Sequence, residues 1–192
     1  MRFWFKFIYA IFLPAQRILA PIRVRGRKNI PTGPAIVCAN HTSSLDPILI
    51  AYAFGINCRL NFMAKAELFS YPILKGILGA LCVFPVSRGE PDISSIRTTM
   101  KHLKSGDMVM MFPEGTRVSP EESVEAKTGA VRIAAKTKVP ILPIHLTSGR
   151  KIFHCTRLVI GSPYMVEAPR DKNYEMLAGK LMDSIFELEP KR

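Results

Sequence analysis

No run of about 18 uncharged apolar residues occurs anywhere in this 192-residue chain, so an ordinary membrane-spanning helix is not expected. Cysteine is scarce. Cys38, Cys58, Cys82 and Cys155 stand far apart, with no C-x-x-C pair and no histidine at ligand spacing. That argues against a zinc site and against a disulfide framework, and the four read as buried thiols in a reducing compartment. Acidic residues are also few, 15 against 27 Lys and Arg, which leaves a formal net charge of +12. The sequence has no internal repeat, no low-complexity segment, no G-x-S-x-G elbow, no P-loop and no dinucleotide fingerprint. Enzymes built on those loops are thereby set aside. What is present is an apolar fraction of 48% with 22% charged residues, which excludes a disordered chain. The length suits one domain around one sizeable core.

The charge is placed unevenly. Residues 1–105 hold 14 basic and 4 acidic side chains, whereas residues 106–192 hold 13 and 11. Before the first acidic residue, Asp46, stand Arg2, Lys6, Arg17, Arg23, Arg25, Arg27 and Lys28. A one-sided excess favours a partner with a negative surface, either nucleic acid or an anionic bilayer. A solvated basic face kept for solubility accounts for the charge equally well. The first thirteen residues, Met1 to Leu13, are aromatic and aliphatic nearly all round, interrupted by Lys6 and followed by Pro14. As a helix, residues 2–19 measure about 27 Å, short of a hydrocarbon core of about 30 Å and carrying embedded charges. A signal peptide fits no better, because Lys6 breaks the apolar region and no small-x-small cleavage site follows. Trp4, Phe5, Phe7, Tyr9 and Phe12 suit a helix lying in the headgroup boundary, with a core-packed helix as the competing reading.

Short β-rich runs alternate with helical patterns over the rest of the chain. Strands are predicted at 35–39, 60–64, 81–86, 108–112 and 140–146, with an extended stretch around 157–167. Asp46-Pro47 opens a helix, since Asp is a good N-cap and Pro is favoured at the first helical position. Asp92 caps another, whose Ile93, Ile96, Met100 and Leu103 share a face and which ends at Ser105-Gly106. A basic helix covers roughly 127–138, and a closing helix carries Tyr174, Leu177, Leu181, Ile185 and Leu188 in register. The expected fold is therefore a single α/β domain, with a largely parallel or mixed sheet flanked by helices and an N-terminal membrane-interface helix. Residues 1–20 are read as the anchor and 21–192 as the α/β domain.

In α/β sheets ligands gather where strands give way to loops. After strand 35–39 comes Asn40-His41-Thr-Ser-Ser-Leu-Asp46, and after strand 108–112 comes Pro113-Glu114-Gly115-Thr116-Arg117. Asp46 can accept the Nδ1 hydrogen of His41 and leave Nε2 as a base for a weakly nucleophilic hydroxyl. The other reading is that Asp46 only caps its own helix while His41 bonds a backbone carbonyl. Gly115 permits close backbone approach, Thr116 brings a hydroxyl, and Arg117 brings a planar fork suited to phosphate. Glu114 can bind a hydroxyl or hold Arg117. Arg88 and Lys65, each after a predicted strand, are further basic candidates. His102, His145 and His154 read as structural.

These blocks together resemble the glycerolphosphate acyltransferases of the PlsC type, which include the 1-acylglycerol-3-phosphate acyltransferases. His41-Thr-Ser-Ser-Leu-Asp46 looks like the first family motif, His-x4-Asp. Val83-Phe-Pro-Val-Ser-Arg88-Gly89 looks like the second, Phe112-Pro-Glu-Gly-Thr-Arg117 is the third in full, and Val139-Pro-Ile-Leu-Pro-Ile144 is similar to the fourth. Lys65 and Lys127-x-Gly129 also fall where the family places them, and the resemblance covers about residues 22–165. The leader before the first strand is short, so an abbreviated form of a two-helix membrane platform is expected.

The resemblance implies that His41 deprotonates a glycerol hydroxyl, which attacks the thioester of acyl-carrier protein or acyl-CoA, while Asp46 orients the imidazole. It implies that Arg88 and Arg117 hold the acceptor phosphate, with Glu114 and Gly115 shaping the glycerol pocket. It implies no metal and no bound cofactor, the thioester carrier being a co-substrate. Expected partners are lysophosphatidic acid, the acyl donor and an anionic membrane surface, at the cytoplasmic face and peripheral to it. Another lyso-lipid acceptor, such as a lyso-ornithine lipid or a remodelled lysophospholipid, is the second reading. A basic nucleic-acid-binding protein is the reading from a different class. Aromatics clustered at the N-terminus, rather than interleaved with later basic residues, count against it.

Overall fold

The computed structural model describes residues 2–87, 92–119, 124–147 and 153–190. Its elements run α1 (Arg2–Leu19), β1 (Ile22–Arg25), β2 (Ile36–Ala39), α2 (Asp46–Phe54), β3 (Leu60–Lys65), α3 (Pro72–Ala80), β4 (Val83–Val86), α4 (Ile93–Lys104), β5 (Met108–Met111), α5 (Gly129–Thr137), β6 (Ile141–Leu146), β7 (Thr156–Ile160) and α6 (Tyr174–Phe186). The seven strands form one sheet in the order β1-β7-β6-β2-β5-β3-β4. All neighbours are parallel except β6 and β7, which pair antiparallel through Ile144↔Ile160 and Leu146↔Leu158. The expected mixed sheet flanked by helices is therefore what forms.

The central strand β2 is buried on both faces, which is why Ile36-Val-Cys-Ala39 reads as a continuous apolar run and not an alternating one. Val37 and Ala39 face one core layer with Leu49, Ile50 and Ala53 of α2. Ile36 and Cys38 face the other, with Leu103 of α4, Val131 and Ala134 of α5, and Leu181 and Ile185 of α6. Right-handed crossovers account for this division. The chain moves one way along the sheet through α2 and α3, and the other way through α4 and α5.

Several expectations change in detail. The edge strand β1, with its half-buried Ile-Arg-Val-Arg alternation, and the glycine-bearing α3 were not anticipated. Neither carries a strong local signal, since β1 has only a four-residue pattern and α3 contains two glycines. Asp92 does cap α4, accepting from Ser95 N–H at 3.0 Å. The face that α4 buries, however, is Ser95, Thr99 and Leu103. Ile93 and Ile96, expected to lie inward with Leu103, stay 68% and 40% exposed. The cysteines are also mixed: Cys38 and Cys82 are buried, Cys58 is half-buried and Cys155 is exposed. Burial pushes the Cys38 thiol far above its ordinary range.

The N-terminal helix forms over the expected residues, with one side packed on the domain and the other uncovered. Phe5 is buried, and the Tyr9 ring lies 4.5 Å from that of Tyr52 on α2. Phe3, Trp4, Phe7, Ile11 and Phe12, offset around the helix, remain exposed. Among the described residues no helix is long and apolar enough to cross a membrane.

Candidate active site

The connections leaving β2 and β5 run to opposite faces of the sheet, and these strands are neighbours. Such a switch point opens a crevice at the carboxyl ends of the two strands. The loop after β2 supplies His41 to Asp46, and the loop after β5 supplies Pro113 to Arg117. Residues about 70 positions apart thus meet through strand pairing.

Asp46 organises the first loop. Its Oδ2 lies 3.0 Å from His41 Nδ1, and the same oxygen accepts from the backbone N–H groups of Thr42 at 2.8 Å and Ser43 at 2.9 Å. An oxygen that already receives two amide hydrogens acts as an acceptor toward the ring, so Nδ1 carries the hydrogen. Chemistry at this imidazole therefore falls to Nε2. Asp46 is fully buried, and its charge sits in the first turn of α2, where the helix dipole favours an anion. Asp46 does not cap its own helix as expected. Leu45 occupies the N-cap without a side-chain bond, because the carboxylate is turned back to the preceding loop.

Three further contacts hold His41 in place. Its ring stacks on Phe112 at 3.9 Å between centroids with 16° between planes. Its backbone N–H donates to Glu114 Oε2 at 2.6 Å, and its carbonyl accepts from Val118 N–H at 2.9 Å. Below it, the Asn40 amide closes a two-way clasp with Leu146 on β6 at 2.9 and 2.8 Å. Asn40 thereby ties the exit of β2 to the far neighbour strand.

Of the readings given for Glu114, holding Arg117 is not what the described contacts show. Glu114 is buried against the His41 backbone, with no hydrogen bond to Arg117 among the described contacts. Burial pushes its carboxyl above the ordinary range, partly offset by the bond from His41 N–H and the His41 charge. Gly115 adopts φ of 69°, and a Cβ there would lie 2.5 Å from Lys127 Cε. The turn passes directly over the Lys127 stem, and Lys127 N–H donates to Pro113 O at 2.8 Å. Thr116 and Arg117 are exposed at the rim of the crevice. Arg117 Nη1 donates to Ser44 Oγ at 2.6 Å, which sets the guanidinium across the mouth of the His41 loop.

Lys65 ends β3, separated from β2 by β5, and its described ion pair is with Glu67 at 3.3 Å. Arg88 lies outside the described residues. His41, Asp46, Glu114, Gly115, Thr116 and Arg117 are brought together; Lys65 is placed on the same edge but not in contact. Ser44 and Phe112, which aim Arg117 and the imidazole, were not singled out from the sequence. Their positions inside the two motifs are the only local signal for them.

Comparison with known proteins gives a consistent picture. A family model described as Acyltransferase matches residues 21–147. The chain is similar to the 1-acyl-sn-glycerol-3-phosphate acyltransferase of Bacillus subtilis, at 33% identity over 180 residues, or 88% of this chain and 89% of that one. It is also similar to a chloroplastic 1-acyl-sn-glycerol-3-phosphate acyltransferase of Arabidopsis thaliana, at 33% identity over 68% of this chain but 37% of that protein. Among solved structures, the crystal structure of the 1-acyl-sn-glycerophosphate acyltransferase PlsC from Thermotoga maritima superposes with a TM-score of 0.66 and 27% identity, covering 89% of this chain and 73% of that one.

Proposed function

The chain belongs to the acyltransferase family, and from that footing we infer that it esterifies the free sn-2 hydroxyl of 1-acylglycerol-3-phosphate, giving phosphatidic acid. It is an O-acyltransferase. The observation that carries the chemistry is the His41–Asp46 pair, whose 3.0 Å contact commits Nδ1 and directs Nε2 to the crevice chemistry.

A secondary hydroxyl is a weak nucleophile until its proton is removed. His41 Nε2 takes that proton as the hydroxyl oxygen bonds to the thioester carbonyl carbon. The resulting imidazolium is stabilised by the fully buried Asp46 carboxylate. As the tetrahedral adduct collapses, the carbon–sulfur bond breaks and the imidazolium returns its proton to the departing thiolate. No protein nucleophile is needed, because the acceptor attacks directly. Arg117 at the mouth of the crevice suits the acceptor phosphate, and Thr116 lies beside it. The donor is an acyl thioester, carried by acyl-carrier protein or CoA. The acceptor lives in a bilayer, and the exposed aromatics of α1 support attachment at the membrane surface, with basic residues reaching anionic lipid.

His41→Ala tests the reading. Turnover should fall by roughly 10²–10⁴, the usual effect of losing a general base. A folded variant that keeps near-normal thioester-dependent turnover overturns the assignment.

A further inference from the structure

The groups described so far account for the hydroxyl and phosphate of the acceptor, and they leave the carrier of the thioester without a place. A cleft of about 530 Å³ runs between α4 and α5. Its apolar side is Ile93, Ile96 and Met100, and its cations are Arg97, Lys101, Lys104 and, from α5, Lys136. Among the described residues no carboxylate lines it, and none of the four cations has an ion pair with a described residue. Because α4 buries Ser95, Thr99 and Leu103, the outward stripe is positions 93, 96, 97, 101 and 104, with half-buried Met100 at its base. That spacing is one helix face about 16 Å long.

The chemistry of the stripe narrows its occupant. A row of cations beside uncovered isoleucines complements an amphipathic helix with acidic residues along its edge. The stripe is too long for a single phosphate, and its apolar side does not match a hydrated nucleotide. A bilayer is disfavoured by position, since α4 and α5 cover the face of the sheet opposite α2, against which α1 packs. The cleft also points toward the reaction. Asp92, the cap of α4, accepts from Ser87 N–H just past the end of β4, so the Ile93 end lies at the carboxyl edge of the parallel strands. From β4 to β2 is three strand spacings, about 14 Å. A thioester on a long flexible arm can cross that distance to the His41 crevice.

We propose that the α4–α5 cleft docks an acidic carrier protein, with an acidic helix of an acyl-carrier protein laid along the α4 stripe and its arm reaching over the sheet edge. This rests on the acyl-transfer reading and assigns its donor.

The test uses the full chain, holo-acyl-carrier protein as the binding probe, and matched acyl-carrier and acyl-CoA donors in turnover. Binding by the unaltered protein should be measurable and should weaken with salt. The triple variant Arg97→Glu, Lys101→Glu, Lys104→Glu should bind the carrier about tenfold or more weakly and raise KM for the acyl-carrier donor alike. Its kcat/KM with acyl-CoA should stay within about twofold, since the substitutions lie on an exposed face away from His41. A second variant, Ile93→Ser with Ile96→Ser, should weaken carrier binding while keeping the salt dependence. Failure of the unaltered protein to bind the carrier overturns the proposal, as does unchanged binding by both variants or equal damage to the two donors. Loss of vesicle attachment with intact carrier binding in the triple variant also overturns it, and assigns the stripe to a bilayer. If carrier binding follows the expected pattern but neither donor supports acyl transfer, the docking stands and the acyl-transfer reading fails.

Discussion

Asp46→Asn is the substitution that most directly probes how this site is built. In the native loop one oxygen receives the His41 ring hydrogen at 3.0 Å and two backbone N–H groups at 2.8 and 2.9 Å. Asn keeps the shape and an acceptor oxygen but removes the charge. Hydrogen bonds to a charged group contribute about 1.5–3 kcal/mol each and neutral ones about 0.5–1.5, a difference of about 1–1.5 per bond, so three weakened bonds cost roughly 3–4.5 kcal/mol in total. For a domain of this size that is a fall in Tm of about 2–4 °C per kcal/mol, and the fold should survive. The rate effect is larger. Two charges about 4 Å apart at an effective dielectric constant near 20 interact by about 4 kcal/mol, which the transient imidazolium loses. A decrease of about 10³ in kcat follows, inside the range seen for loss of general-base function. The acceptor KM should change little, because Arg117 and Ser44 are untouched. Release of free thiol from an acyl thioester measures kcat and KM, and circular dichroism reports Tm. A folded Asp46→Asn protein with kcat within about threefold of the native value would show that the pair is structural only.

Three other outcomes are expected. Arg117→Lys keeps the charge but not the planar fork that spans Ser44 and the crevice, so the acceptor KM should rise about tenfold while the donor KM holds; equal damage to both points to a loop role. Glu114→Gln retains an acceptor for His41 N–H and removes a carboxylate whose pKa is raised by burial from an ordinary 4.5. The folded state therefore holds that proton to higher pH than the unfolded chain, and stability falls as pH rises from the ordinary toward the raised value. The variant should lose that slope and be at least as stable at neutral pH; a lower Tm there contradicts the argument. On α1, Trp4→Ser with Phe7→Ser should reduce sedimentation with anionic vesicles without moving Tm, because both side chains are exposed. Phe5→Ser should lower Tm, because that ring is buried; a lower Tm with unchanged sedimentation in the double variant would make α1 an ordinary core helix.

Two histidines show how far spacing alone can be read. His102 is followed five residues later by Asp107, the same interval as His41 and Asp46. Their contact, 3.5 Å, is real. Yet Asp107 precedes β5 and is held by Arg59 at 2.6 Å, whereas Glu114 follows that strand. One pair therefore lies at the amino edge of the sheet and the other in the crevice at its carboxyl edge. His102 stacks on Phe84 and serves packing.

The strands, most of the helices and the alternation that makes this an α/β sheet were legible because they depend on local patterns: apolar runs bounded by turn residues, Asp caps and helical periodicity. The chemically capable residues were legible for a similar reason, since side-chain type and position after a strand are properties of the chain. The tertiary structure decided which loops meet. Strand order places β2 beside β5, so His41 stands over Phe112 and Glu114, and Arg117 reaches Ser44. It also decided between the two readings of Asp46, as ring partner and not as helix cap, and it left Ile93 and Ile96 outside the core that their periodicity suggested. These outcomes depend on pairing between residues far apart in sequence. The chain closes those loops only when the whole sheet forms, so no local pattern carries them.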